Sequence, residues 1–81
     1  HQPFIFKGSV RENLAIAKDS LSKEAMLEAL RKVALLDFVM EQGGLDMELQ
    51  EQGNNLSGGQ KQRLSIARAL LAQRKQYRCR E

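Results

Sequence analysis

Between Lys23 and Ala34 the apolar residues Met26, Leu27, Leu30, Val33 and Ala34 recur at the i, i+3, i+4, i+7 spacing of a single helix face. A period of 3.6 residues does not line one face of a strand, so this stretch is an amphipathic helix that leans on something apolar. Ser22 stands where an N-cap belongs, Glu24 falls in the first turn near the positive end of the helix dipole, and Glu28 stands four residues before Lys32. Phe4, Ile5 and Phe6 are bulky and β-prone and run into Lys7, Gly8 and Ser9, which predicts a short extended piece ending in a turn. Ser9 then caps a helix over Val10 to Ala17, with Glu12 at its third position. Phe38 to Met40 supplies another helical turn, stopped by Gly43 and Gly44. Leu45 to Asn55 mixes acidic, amide and glycine residues with few apolar anchors and reads as an irregular, exposed loop. A last helix is expected from Gly58 to about Gln73, with Leu64, Ala67, Leu70 and Leu71 as its apolar face. The fold class is mostly α, with one stub of strand at the start.

A chain of 81 residues allows one small domain of marginal stability, so a piece of something larger is a live possibility. At 42% hydrophobic and 28% charged it is too apolar for a typical disordered segment. No apolar run approaches the roughly 20 residues of a membrane-spanning helix, so any membrane role is expected through a partner. Cys79 has no second cysteine to pair with, which fits a reducing compartment, and no Cys/His spacing resembles a zinc site. The net charge of +3 comes partly from Arg74, Lys75, Arg78 and Arg80. That run reads as a solvated surface, since Tyr77 is the only aromatic beside it on which a base could stack.

The chemistry concentrates at Leu56-Ser57-Gly58-Gly59-Gln60. Two adjacent glycines at a helix start leave backbone N–H groups accessible, and the unpaired amides and the helix dipole together favour an anion. The Ser57 hydroxyl and the Gln60 amide can add hydrogen bonds to phosphate oxygens. The alternative is a serine-capped helix whose glycines permit a tight loop entry. Both readings are compatible with the residues alone.

Leu56 to Gln60 reads LSGGQ, a pentapeptide expected by chance in about one chain in 10,000 of this length. It continues as Lys61-Gln62-Arg63-Leu64-Ser65-Ile66-Ala67-Arg68-Ala69-Leu70 and so resembles the signature helix of ATP-binding cassette (ABC) proteins. Pro3-Phe4-Ile5-Phe6, followed by Gly8-Ser9-Val10-Arg11-Glu12-Asn13-Leu14, is similar to the stretch after the Q-loop glutamine of exporter-type cassettes. The resemblance covers residues 1 to about 72 and implies the helical subdomain of an α/β P-loop NTPase fold. On that basis residues 1–9 are the end of the Q-loop region with a short extended segment. Residues 10–55 are the helical subdomain and pre-signature loop, 56–73 the signature motif and helix, and 74–81 a basic polar tail.

The resemblance further implies a shared nucleotide site. Two cassettes of this family pair head to tail, and Ser57, Gly58, Gly59 and Gln60 would close over the γ-phosphate of ATP, with its Mg2+, held by the partner cassette. Phe4 and Phe6, with Glu51 and Gly53, would meet the transporter's transmembrane domains, which puts the cassette at the cytoplasmic face of the membrane. The competing reading of the two phenylalanines is local core. His1 and Gln2 are the Q-loop candidates, because the position two residues before the proline holds His1 and Gln2 stands one residue before it. A soluble DNA-repair or translation ATPase would carry a similar signature, but it often inserts long segments where only Ala15 to Asn55 stands here. A stand-alone helical module binding nucleic acid through the basic tail is the third reading, and nucleic acid is not expected as a partner.

No G-x-x-x-x-G-K-[ST] pattern occurs in the chain, and Gln73 to Glu81 does not resemble the apolar strand ending in Asp-Glu that follows the signature helix in this family. With severed sheet contacts, the apolar face of residues 64 to 71 is expected to be exposed and to promote self-association. The 81 residues alone are expected to release no phosphate from ATP above a buffer blank, because no residue set for holding and splitting ATP is complete here. A hydrolysis rate above the blank that vanished on Ser57→Arg would contradict this.

Overall fold

The computed structural model describes residues 4–17 and 20–79, with side chains as far as residue 73. In chain order it contains β1 (Gly8–Ser9), α1 (Val10–Ala15), α2 (Lys23–Lys32), α3 (Leu36–Glu41), a 3-10 turn (Gly44–Asp46), β2 (Glu48–Leu49), a second 3-10 turn (Glu51–Gly53) and α4 (Gly58–Cys79). The chain is mostly helical, as its periodicity requires. No helix among the described residues is long and apolar enough to cross a membrane.

Local chemistry starts the helices where expected. Ser9 accepts from the Glu12 amide while the Glu12 carboxylate accepts from the Ser9 amide, a complete capping box on α1. Ser22 caps α2 by accepting from the Ala25 amide. The ends differ from expectation. α1 stops at Ala15, and α2 stops at Lys32, two residues before Ala34. Ala34 takes a left-handed φ of 60°, its N–H donates to Arg31, and the Leu35 N–H reaches back to Leu30 at 2.9 Å. This pair of bonds is a Schellman closure, with alanine at the place glycine usually holds. The buried stripe of α2 is accordingly Ala25, Met26, Ala29 and Leu30, while Leu27 and Val33 are only partly covered and Ala34 is exposed. Glu28 pairs with Arg31, one turn on, and this bond raises the Arg31 pKa.

α2 packs along α4, where Leu64, Ala67 and Leu71 are buried. The expectation of an uncovered face over residues 64 to 71 is therefore corrected: α2 and α1 supply the partner within the chain. Small Ala25 and Ala29 let the two helices approach closely. α4 also runs six residues past the expected end at Gln73, to Cys79. No proline or glycine in Arg74 to Cys79 interrupts the helical backbone.

The segment from Leu45 to Asn55 is the main departure. It was expected to be irregular and exposed, yet Leu45, Met47, Leu49 and Gly53 are buried. Leu45, Met47 and Leu49 alternate with exposed Asp46, Glu48 and Gln50, the period-2 pattern of a strand with one face on the core. β2 pairs antiparallel with β1, Gly8 opposite Leu49 and Ser9 opposite Glu48, and the Val10 amide donates to Met47 at 2.9 Å. The expected extended piece at Phe4 to Phe6 is thus displaced to Gly8–Ser9, where a partner edge exists.

Gly53 has φ +67°, and a Cβ there would lie 2.8 Å from Ile5 Cδ1 and 3.4 Å from Lys61 Cγ. Ile5 is fully packed, so the neighbour has little room to yield. Gly53→Ala is expected to lower the stability of the chain by about 1–3 kcal/mol in urea unfolding, combining left-handed strain with overpacking. An unchanged midpoint would contradict the close approach.

Candidate functional site

At the start of α4 the Gln60 amide donates to Ser57 Oγ at 3.1 Å and the Ser57 amide donates to Gln60 Oε1 at 2.9 Å. The Lys61 amide makes the first helical bond, to Ser57 O at 3.0 Å. Of the four amides that open the helix, those of Gly58 and Gly59 have no acceptor among the described residues. Ser57, Gly58 and Gly59 are exposed and Gln60 is half-buried.

Neither glycine is demanded by the chain's own fold. Neither has a positive φ. A Cβ at Gly58 would meet nothing within 4 Å, and one at Gly59 would meet only Ser57 Oγ at 4.0 Å. The reading in which glycine permits a tight loop entry therefore finds no support in the geometry. Glycine in a helix costs roughly 0.5–1 kcal/mol relative to alanine, and what it leaves here is two bare amides that another molecule can approach closely. The capping box uses Ser57 Oγ and Gln60 Oε1 as acceptors, so the serine proton and the glutamine NH2 remain to donate outward. Four donors at the positive end of a helix dipole can hold the oxygens of an anion.

The loop leading into this turn is anchored. Asn55 accepts from the Gln50 amide and donates to Glu48 O, both at 3.0 Å, and the Leu56 amide donates to Gly53 O at 2.9 Å. The Gln52 amide donates to Ile5 O at 2.8 Å, so the turn holding Glu51 and Gly53 lies beside the residues that hold Phe4 and Phe6. Phe4 is 61% exposed with its ring centroid 6.3 Å from that of Phe6, and Phe6 is half-buried. Phe4 is therefore not a core residue. Glu51 is exposed, and Gly53 is buried as the seat for Ile5. His1 and Gln2 lie outside the described residues, as do the side chains of Arg74, Lys75, Arg78 and Arg80.

Two residues not singled out from the sequence join these parts. Asn13 is completely buried. Its Nδ2 donates to Phe6 O at 3.1 Å and Ser9 O at 3.0 Å, and its Oδ1 accepts from the Phe6 amide at 3.1 Å. Arg68 on α4 donates from Nε to Asn13 O and from a terminal nitrogen to Asn13 Oδ1, each at 3.0 Å. Burial lowers the Arg68 pKa, although a guanidinium keeps its charge in proteins. A signal was available: Asn13 falls at i+3 from Val10 and beside Leu14, a polar residue on a buried helix face.

The family model described as ABC transporter matches residues 1–77. An uncharacterised ABC transporter ATP-binding protein of Haemophilus influenzae is 51% identical over 71 residues, covering 88% of this chain and 13% of the relative. The ATP-dependent lipid A-core flippase of Desulfotalea psychrophila is 46% identical over 72 residues, again covering 88% and 13%. Among solved structures, a bacterial Atm1-family ABC exporter with ATP bound superposes with a TM-score of 0.79 at 36% identity, over 85% of this chain and 12% of that one. The chain thus spans about an eighth of the length of these relatives. Its helical fold with a two-stranded sheet matches part of such an exporter, and the chain belongs to the ABC transporter family.

Proposed function

We propose that this chain serves as the signature-bearing part of a transporter's ATP-binding cassette, with Ser57, Gly58, Gly59 and Gln60 binding the γ-phosphate of ATP carried by a second cassette. The observation that supports it most directly is the pair of unpartnered amides at Gly58 and Gly59, in a place where the chain itself has no use for glycine. A phosphate oxygen is an acceptor of the right charge for that turn, and the absence of a Cβ lets it come within hydrogen-bond distance of the backbone. ATP and Mg2+ would arrive on the partner cassette, and this chain's contribution is to donate hydrogen bonds and to exclude water from the shared site. Phe4 and Phe6, with the Glu51–Gly53 turn, would face the transmembrane domains, which keeps the cassette at the cytoplasmic side of the membrane. The transporter and exporter names of the similar proteins favour this reading over a soluble DNA-repair or translation ATPase.

The test uses the Desulfotalea flippase with its matching segment replaced by residues 1–72 of this chain. Gly59→Ala is expected to raise the stability of the isolated chain by about 0.5–1 kcal/mol in urea unfolding. In the chimera the same substitution is expected to cut ATP hydrolysis about tenfold or more, a barrier increase of about 1.4 kcal/mol. Hydrolysis unaffected by Gly59→Ala would remove the reason for the glycine and the proposal with it. Ser57→Arg, which fills the turn with a long side chain, is expected to abolish hydrolysis in the chimera while leaving its expression and membrane insertion intact.

A further inference from the structure

Segment 4–9 is tied to the signature-bearing half of the chain by the β1–β2 pairing, by Ile5 at the turn ahead of α4, and through Asn13 to Arg68. Near the turn, the Ile5 carbonyl accepts from Gln52 and the Ile5 side chain sits over Gly53, four residues before Ser57. Farther along, the Asn13 side chain clasps both the N–H and the C=O of Phe6 as well as the Ser9 carbonyl. Arg68 grips Asn13 at both its backbone and its side-chain oxygen. Arg68 lies eleven residues after Ser57 on the same helix, roughly 16 Å away at 1.5 Å per residue. A two-point bond from a planar guanidinium constrains rotation as well as distance. One attachment on the turn ahead of α4 and another on α4 itself constrain the orientation of the helix more than a single attachment could.

The Arg68 charge makes the clasp specific. Arg68 is half-buried, and the acceptors recorded for it are both on Asn13. Asn13 in turn directs its side chain entirely to the Phe6–Ser9 backbone and to Arg68, and no buried side-chain polar atom among the described residues is left unpaired. Moving segment 4–9 off α1 would strand the Phe6 amide, and moving it together with α1 but without α4 would strand the half-buried guanidinium, and either is costly.

We infer that Asn13 and Arg68 are positioning residues that couple displacement of the Phe4–Ser9 segment to the orientation of the Ser57–Gln60 turn. The inference rests on the function proposed above and adds the route by which an event at Phe4 and Phe6 reaches the nucleotide. Neither residue touches ATP in this scheme. Their loss is therefore felt in communication, with the nucleotide contacts themselves preserved.

The same flippase chimera tests it, with purified lipid A-core as the stimulating probe. ATP hydrolysis is measured with and without the probe, together with the KM for ATP and the thermal midpoint. Arg68→Ala and Asn13→Ala are expected to keep the basal rate and the KM within about twofold and to lose most of the stimulation by the probe. Arg68→Lys, which keeps the charge and one donor but not the fork, is expected to retain an intermediate stimulation, and it carries the test if the alanine variants fail to accumulate. A stimulation ratio unchanged in these variants overturns the coupling role. So does a parallel fall of basal and stimulated rates that tracks a lowered thermal midpoint, since that is the signature of structural damage alone. Ser57→Arg separates the two proposals: if it leaves hydrolysis intact, the nucleotide reading fails, whereas its abolishing hydrolysis beside unchanged ratios in the clasp variants overturns the clasp alone.

Discussion

Asn13 is the one buried polar side chain among the described residues, and its amide joins α1 both to segment 4–9 and to α4. Its NH2 and oxygen satisfy the Phe6 N–H, the Phe6 and Ser9 carbonyls, and part of the Arg68 guanidinium. An apolar side chain of similar volume would fill the space but leave those groups unpaired, at about 1–3 kcal/mol each. A small chain has little stability to spare, so a network of this kind adds to the strand pairing and the Ile5 packing that hold segment 4–9 on the rest of the chain. Once that segment docks, β1 is placed against β2 and Ile5 is driven under Gly53, and the loop ahead of α4 acquires its shape.

Around that polar point the packing is simple. The alanine-rich stripe of α2 lies on the leucine stripe of α4, and the side chains of Leu14, Leu30, Leu49, Leu64 and Leu71 fill the interior. The exposed end of α4 is different in kind. Its glycines weaken the helix, the Gly58 and Gly59 amides are unpaired and its cap is reciprocal, so it keeps an open terminus on a helix that is packed farther along at Leu64, Ala67 and Leu71. Local stability is given up at Gly58 and Gly59, while the buried stripe of Leu64, Ala67 and Leu71, about two turns long, seats the helix against α2 and α1.

Much of this was legible in the residues because it is local. The caps at Ser9, Ser22 and Ser57 depend on groups within three residues, and each forms as the spacing predicts. The signature turn needed no tertiary information either. The misreadings share a cause. Leu45, Met47 and Leu49 are sparse apolar anchors in the sequence, and a two-residue strand has no stability until β1 lies beside it. The expectation of an uncovered face on α4 counts only the missing sheet, whereas its cover, α2, comes from more than thirty residues earlier in the chain. α2 ended early because Leu35 turns inward to be buried, and that requires a left-handed Ala34 which helix propensity alone disfavours.

Chain-local physics thus settled the helix starts, the mostly helical class and the serine-capped turn at Gly58 and Gly59, since short hydrogen bonds and residue periodicity carry that information. Tertiary structure decided which apolar stripes meet, where the strand pair lies, and that Asn13 and Arg68 touch across fifty-five positions of sequence. A contact of that span is specified only when the whole core closes, because neither residue gains anything from the bond until water is excluded around both.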